Sequence, residues 1–193
     1  MRFLKNLFYF VCLAIVLIVS SSFSNSALSQ NEEGEKSWQI QITEKNEPGE
    51  TMVVRGRVLA SDGKTPLQGI RVHVYHTDAE GVYSKTGKGH RLKGDMITND
   101  NGEYLYRTIR PASYPGQTVA AHVHYEVYGP NGFEQEFELL FEGDPLISSR
   151  ARERAKERGG FFAIRKIEKD ENGIWQSRYD LILKLKPPKD SGE

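Results

Sequence analysis

The sequence has very little cysteine and no excess of either charge. Its single cysteine, Cys12, lies in an apolar run near the N-terminus. If that run is removed, the remaining chain can form no disulfide, no thiolate metal site and no cysteine nucleophile. Lysine plus arginine (26) balance aspartate plus glutamate (26), so nothing indicates a nucleic-acid partner, whose phosphates call for a basic face. A glycine-rich dinucleotide fingerprint is also missing.

The first 29 residues are typical of a signal peptide. A basic start precedes the apolar run Leu7 to Val19, and small residues follow it up to Ala27-Leu28-Ser29. The run is about a dozen residues long, whereas a membrane-spanning helix needs roughly 20. We therefore expect residues 1–29 to be removed and the mature protein to be secreted or periplasmic, with no membrane span. A retained membrane anchor is the alternative.

The rest of the chain is the size of one domain. We place that domain at residues 38–187, after a polar leader at 30–37 that we expect to be disordered and before a C-terminal tail at 188–193. Short runs of alternating apolar and polar residues, separated by turn signals, predict strands. These runs are Trp38 to Ile42, Met52 to Leu59, Arg71 to His76, Tyr104 to Ile109, Val119 to Tyr128, Phe133 to Phe141 and Trp175 to Leu185.

This spacing of strands predicts an all-β fold, a β-sandwich of about seven to nine strands with one short helix; its pattern of strands and turns resembles the prealbumin-like sandwiches. The helix is predicted from Pro145 to Glu157, because Asp144 is suited to cap its N-terminus and proline is favoured at the first helical position. The pair Gly159-Gly160 should end it.

Two histidines and two tyrosines form the most informative pattern. His122 and His124 stand at i and i+2 in an alternating stretch, so both rings point to one face of a strand and can offer neutral nitrogens to one ion. Tyr83 follows a turn that ends at Gly81, and Tyr114 precedes a proline. Two phenolates and two imidazoles suit a hard, oxidised cation better than zinc. The alternative for each residue alone is a polar strand face or a packed tyrosine ring.

Together with the segments around them, these four residues resemble the intradiol ring-cleavage dioxygenases. That family consists of non-haem Fe(III) enzymes that open catechols between the two hydroxyls with dioxygen and give a muconate-type diacid. The other segments that carry the resemblance are Gly56 to Val58, Gly63 to Gly69, Val72 to Tyr83, Thr98 to Tyr104, Thr108 to Pro111, Phe141 to Pro145 and Tyr179 to Leu183.

The resemblance implies a role for each of the four residues. Tyr83 and His124 would be equatorial ligands of the iron, and Tyr114 and His122 would be axial ligands. Tyr114 would also be catalytic, because the axial tyrosinate leaves the iron when catechol binds and accepts one of its protons. The expected cofactor is therefore Fe(III), and the expected partners are a catechol-type substrate and dioxygen.

Two positions depart from the family's usual pattern. Val119 stands where members that cleave catechol carry an arginine, and Glu138 replaces a common glutamine. Both usual residues stabilise negative charge that develops on the ring. Arg110 or Gln117 could compensate. The departures leave open a metal-binding relative that has lost ring cleavage.

A further alternative is a non-catalytic, prealbumin-like binding or structural module of the cell envelope, because the strand and turn pattern resembles such modules too. The chain has three more histidines. His73 and His76 are three positions apart on a predicted strand, so their side chains point to opposite faces of the sheet and cannot both enter one site. We expect His76 to be a surface or half-buried residue with satisfied hydrogen bonds, and we assign no role to His90.

Overall fold

The computed structural model describes residues 37–157 and 160–187. The predicted signal peptide (1–29), the leader (30–37) except its last residue and the tail (188–193) lie outside the described residues and stay predictions. Within the described residues, no helix is long and apolar enough to cross a membrane.

The described residues form two β-sheets, as the alternating runs predict. Eleven strands follow one another along the described part of the chain. They are β1 (Gln39–Gln41), β2 (Thr51–Leu59), β3 (Arg71–His76), β4 (Leu92–Ile97), β5 (Glu103–Ile109), β6 (His122–Tyr128), β7 (Glu134–Phe141), β8 (Phe162–Arg165), β9 (Ile167–Lys169), β10 (Trp175–Arg178) and β11 (Leu181–Ile182). One sheet has the order β1-β5-β2-β10-β9, with β11 also paired to β2, and the other has the order β4-β3-β6-β7-β8.

The inward faces of the two sheets share one apolar core, so the all-β sandwich is confirmed. Residues from both sheets, among them Val54 of β2 and Val74 of β3, are fully buried in the same cluster. Three buried tyrosines satisfy their hydroxyls inside it: Tyr106 and Tyr125 bond each other at 2.7 Å, and Tyr104 donates to the Tyr179 carbonyl at 2.5 Å. Buried aromatic side chains of this size each stabilise a fold by roughly 3–5 kcal/mol relative to Ala.

The strand count of seven to nine was too low. Strand β4 carries Gly94 and polar residues between its apolar ends, so its alternation is weak in the sequence. Strands β9 and β11 have three and two residues, too few to show a period of two. The predicted run from Trp175 to Leu185 divides into β10 and β11, which pair with different parts of β2.

The α-helix (α1) spans Ser149–Arg154, so the prediction of Pro145 to Glu157 was too long. Its N-cap is Ser148, whose hydroxyl accepts a hydrogen bond from the Ala151 amide, and not Asp144. Asp144 is buried and accepts bonds from the amides of Leu146 (2.8 Å) and Ala121 (2.9 Å). These bonds hold a turn ahead of the helix and fix the chain immediately before His122. A 3-10 turn at Pro130–Gly132 connects β6 to β7.

Candidate metal centre

The side chains of the four predicted ligand residues lie together on the outer face of the five-stranded sheet. The phenol oxygens of Tyr83 and Tyr114 are 2.6 Å apart, and the Tyr83 oxygen is 2.8 Å from Nε2 of His124. The Nε2 atoms of His122 and His124 are 2.9 Å apart, and the Tyr114 oxygen is 3.2 Å from Nε2 of His122. The four atoms therefore form a closed ring.

A strand and two loops bring these residues together. Val123 and Tyr125 of β6 are buried in the core, so the alternation of the strand turns His122 and His124 outward. Tyr83 lies in the connection between β3 and β4, and Tyr114 lies in the connection between β5 and β6. The structure thus places all four residues in one site, while their roles as ligands stay predictions.

The outer nitrogens of both histidines have acceptor neighbours. Nδ1 of His122 donates to the Ala120 carbonyl at 2.8 Å, and Nδ1 of His124 lies 3.5 Å from a carboxylate oxygen of Glu138. A neutral imidazole that carries its proton on Nδ1 presents a lone pair on Nε2. Because the Nδ1 atom of His122 carries the proton, its Nε2 atom presents a lone pair to Nε2 of His124, 2.9 Å away. This arrangement fits a bound cation, and carbonyl or carboxylate partners of this kind orient metal-binding histidines.

Burial shapes the protonation of the site. It raises the pKa of the Tyr83 phenol far above its usual range, and the hydrogen bond with Tyr114 adds to this effect. Burial also lowers the pKa of His124 to about 4, with a further contribution from neighbouring His122. His124 is therefore neutral at pH 7, the form that binds a metal. A cation would oppose this effect of burial on the Tyr83 phenol, because nearby positive charge favours phenolate.

Three more residues, Tyr75, His90 and Glu138, lie next to the site. Only Glu138 was singled out in the sequence, as a departure from the family's pattern, and its position beside His124 was not predicted. The ring of Tyr75 stacks on two imidazoles. Its centroid is 4.7 Å from that of His124 and 3.9 Å from that of His90. Glu138 stands opposite His124 in the β6–β7 register, and burial raises the pKa of its carboxyl. His122, His124 and Glu138 form a group that could hold a metal ion. Two signals were present in the sequence: the alternation of β3, which turns Tyr75 outward, and the departure from the family's pattern at Glu138.

A cavity of about 490 Å³ opens on the tyrosine side of the site. Both candidate tyrosine ligands line it, together with Ser84, His90 and Gln117. None of the described residues that line it is Lys, Arg, Asp or Glu.

Of the two residues that could compensate for the missing arginine, only one lines this cavity. Gln117 does so, whereas the guanidinium of Arg110 stacks 4.9 Å from the Trp175 ring and is not among the lining residues. The side chain at the arginine's usual place, Val119, is 40% exposed and offers neither charge nor hydrogen bond. The structure thus provides no cationic replacement among the described lining residues.

His73 and His76 point to opposite faces of β3, as their spacing along the strand predicts. His73 is on the outer face of β3, with Nδ1 3.2 Å from Asp95. His76 is completely buried, so the expectation of a surface or half-buried residue was wrong. Its hydrogen bonds are satisfied, because Nδ1 donates to the Thr77 carbonyl and Nε2 accepts from the Thr108 hydroxyl, both at 2.7 Å. Its inward position on β3 removes it from the metal site.

Comparison with known proteins gives consistent results. A family model described as Dioxygenase (Dioxygenase_C) matches residues 20–185. Catechol 1,2-dioxygenase 2 of Acinetobacter lwoffii is 32% identical over 120 residues, which cover 52% of this chain and 43% of that protein. Hydroxyquinol 1,2-dioxygenase of Rhizobium sp. (strain MTP-10005) is 33% identical over 124 residues, covering 53% of this chain and 41% of that protein. The chain thus spans less than half the length of these curated relatives.

A solved structure of similar size shares the fold. It is the dioxygenase domain of a dioxygenase and carbohydrate-binding protein fusion from Streptomyces sp. SirexAA-E, with a TM-score of 0.61 and 22% identity. The similarity covers 80% of this chain and 96% of that chain. Because the family model matches most of the sequence and the relatives are intradiol enzymes by name, the chain belongs to the intradiol ring-cleavage dioxygenase family.

Proposed function

We propose that this protein is an exported non-haem Fe(III) dioxygenase that cleaves a catechol-type ring between its two hydroxyls with dioxygen. The observation that carries the proposal is the closed ring of two phenol oxygens and two imidazole nitrogens, in which the two Nε2 atoms lie 2.9 Å apart. Hard phenolate oxygens and neutral imidazoles are a donor set that suits oxidised iron. We propose that Tyr83, Tyr114, His122 and His124 hold it.

A ferric ion bound by these residues would draw electron density from a chelated catecholate and so relieve the spin mismatch between catechol and dioxygen. The protein's own contribution is to bind the substrate, hold the geometry and move a proton. Tyr114 is suited to accept the proton of a catechol hydroxyl. It lines the cavity, and its contact with His122 is the longest in the ring at 3.2 Å. Among the described residues, its hydroxyl bonds only Tyr83 and His122, so no other hydrogen bond keeps the side chain in the ring.

The cavity also supports a choice among catechols. A carboxylate on the ring would lose hydration on entry and find no cationic side chain among the described lining residues. Neutral groups can hydrogen-bond to Ser84 or Gln117. We propose that the substrate is a catechol with neutral ring substituents.

The absence of a cation at Val119 and the carboxylate at Glu138 favour a second candidate function, a metal-binding relative without ring cleavage. One experiment separates the two. Purified protein is loaded with ferric salt, mixed with catechol in air, and followed by oxygen consumption and by the mass of the product. Ring cleavage predicts one dioxygen consumed per catechol and a product heavier by two oxygen atoms, with no activity in His124→Ala. Iron uptake without oxygen consumption would support the second candidate.

Export is a proposal that rests on the signal-like sequence at residues 1–29. N-terminal sequencing of protein recovered outside the cytoplasm should begin near Gln30. A recovered chain that begins at Met1 would support the retained anchor instead.

A further inference from the structure

We propose that Asp78 is a positioning residue that sets the relative placement of the two tyrosines, Tyr83 and Tyr114, by bonding the backbone of both loops that carry them. This inference rests on the proposed function, because its purpose is a site with two tyrosinates. The two loops come from different strand connections, so something other than chain continuity must hold their phenol oxygens 2.6 Å apart.

The bonds toward Tyr83 run through its immediate neighbour. One carboxylate oxygen of Asp78 accepts hydrogen bonds from the amides of Glu80 and Val82, both at 3.0 Å. The Asp78 amide donates to the Val82 carbonyl at 3.0 Å and closes the loop. The carbonyl of Tyr83 itself accepts from the Arg91 amide at 2.9 Å. The backbone of Tyr83 is therefore fixed from both sides.

The bonds toward Tyr114 run through Ala112, two residues before it. The Ala112 amide donates to the Asp78 carbonyl at 3.1 Å, and the Thr77 hydroxyl donates to the Ala112 carbonyl at 2.7 Å. The loops also touch at Gly81, which has φ +79°, and a Cβ there would collide with the Ser113 carbonyl oxygen. Only glycine combines that backbone angle with so close an approach.

The charge of Asp78 is fixed in turn by Arg91. The Asp78 side chain is buried, and a buried carboxylate is stable only when it is paired. Nη2 of Arg91 lies 3.3 Å from its second oxygen, and both Arg91 end nitrogens bond the carboxylate of Glu47, at 2.7 and 2.8 Å. Arg91 is thus held in place while it pairs with Asp78. The result is a rigid support below both tyrosines.

The chain offers a matched control for this idea. Asp170, in the β9–β10 turn of the other sheet, accepts bonds from the amides of Asn172 (2.9 Å) and Ile174 (3.0 Å). Asp170→Ala removes the same pair of side-chain to backbone bonds as Asp78→Ala, but in a turn that carries no candidate ligand. Asp78→Asn keeps an acceptor oxygen for the two amides and loses the charge, so it should give an intermediate effect and should fold if the alanine variant does not.

The test compares wild type, Asp78→Asn, Asp78→Ala and Asp170→Ala in two measurements. In metal-free protein, Asp78→Ala should accelerate amide hydrogen exchange at residues 80–83, which lose the carboxylate, and also at residues 112–114, because the loosened residue 78 no longer holds its own carbonyl firmly against the Ala112 amide. Asp170→Ala should accelerate exchange only at residues 172–174. In ferric protein, Asp78→Ala should weaken iron binding by about 10–100-fold, the usual effect of losing support for metal ligands, and should shift the visible phenolate-to-iron band. Asp170→Ala should leave both the affinity and the band unchanged.

Two results would overturn the proposal. One is exchange that rises only at residues 80–83 in the Asp78 variants, which would leave Tyr114 independent of Asp78. The other is an iron affinity and a visible band in Asp78→Ala that match those of Asp170→Ala. If wild-type protein takes up no iron, the proposed function fails, whereas the exchange measurement still decides whether Asp78 joins the two loops.

Discussion

The buried histidine His76 should make the free energy of unfolding depend on pH. Burial lowers its pKa from 6.5 to about 4, although the bond to the Thr77 carbonyl acts in the opposite direction. Between those two pH values the unfolded chain binds a proton that the folded chain does not. The stabilisation is therefore complete above pH 6.5 and is lost as the pH falls toward 4. This difference in the pKa of His76 between the unfolded and the folded chain corresponds to about 3 kcal/mol in the free energy of unfolding, at about 1.4 kcal/mol for each pKa unit.

Urea unfolding of metal-free protein between pH 7.5 and 4.5 measures this effect. His76→Gln should be less stable at pH 7.5, because it loses buried bonds, but should lose less stability than wild type on acidification. Thr108→Val is the matched control, since it removes the Nε2 partner of the ring and leaves the ring buried. It should lower stability and retain most of the wild-type pH dependence, because burial is the largest cause of the lowered pKa of His76. Parallel curves for wild type and His76→Gln would refute the reasoning.

Three predictions concern the proposed metal centre. Tyr114→Phe should still bind iron but cleave catechol about 10²–10⁴-fold more slowly in steady-state oxygen consumption, the usual contribution of a positioned proton acceptor. Tyr128→Phe is its control: it loses a hydroxyl bonded to Glu126 on the same strand and should match wild type. Glu138→Gln should raise the Fe(III)/Fe(II) reduction potential by about 60 mV, equal to a tenfold loss of ferric over ferrous affinity; an unchanged potential in spectroelectrochemistry would argue against a carboxylate acting on His124. Gln117→Arg should increase kcat/KM for a carboxylated catechol relative to catechol by about tenfold, since a charged hydrogen bond contributes at least about 1.5 kcal/mol. A wild-type protein that already prefers the carboxylated catechol would contradict the proposal of a substrate with neutral substituents.

Local patterns predicted the parts of the site that lie on regular strands. The alternation around His122 and His124 fixes their common face, because Val123 between them is buried in the core. The same rule separates His73 from His76, and the tight turns supplied the boundaries between strands. These features depend on residues close together in sequence, and strand geometry translates them directly into position.

The other parts depend on pairing between distant residues, which a single sequence does not reveal. Glu138 faces His124 because of the β6–β7 register, and His90 reaches Tyr75 from a glycine-rich loop. The helix began later than predicted because Asp144 bonds the Ala121 amide. Its side chain serves a tertiary contact, although its residue type is equally suited to a helix N-cap.

The proposed iron site is tested most directly by the binding of ferric ion to purified protein, followed by visible absorption. We expect uptake that saturates at about one ion per chain, with a broad phenolate-to-iron band that weakens in Tyr83→Phe and disappears in His122→Ala. The closed ring formed by Tyr83, Tyr114, His122 and His124 gives the reason, since neighbouring donor atoms lie 2.6 to 3.2 Å apart and could all bond one ion. A protein that stays colourless and takes up no iron would contradict the proposal that these four residues hold ferric iron.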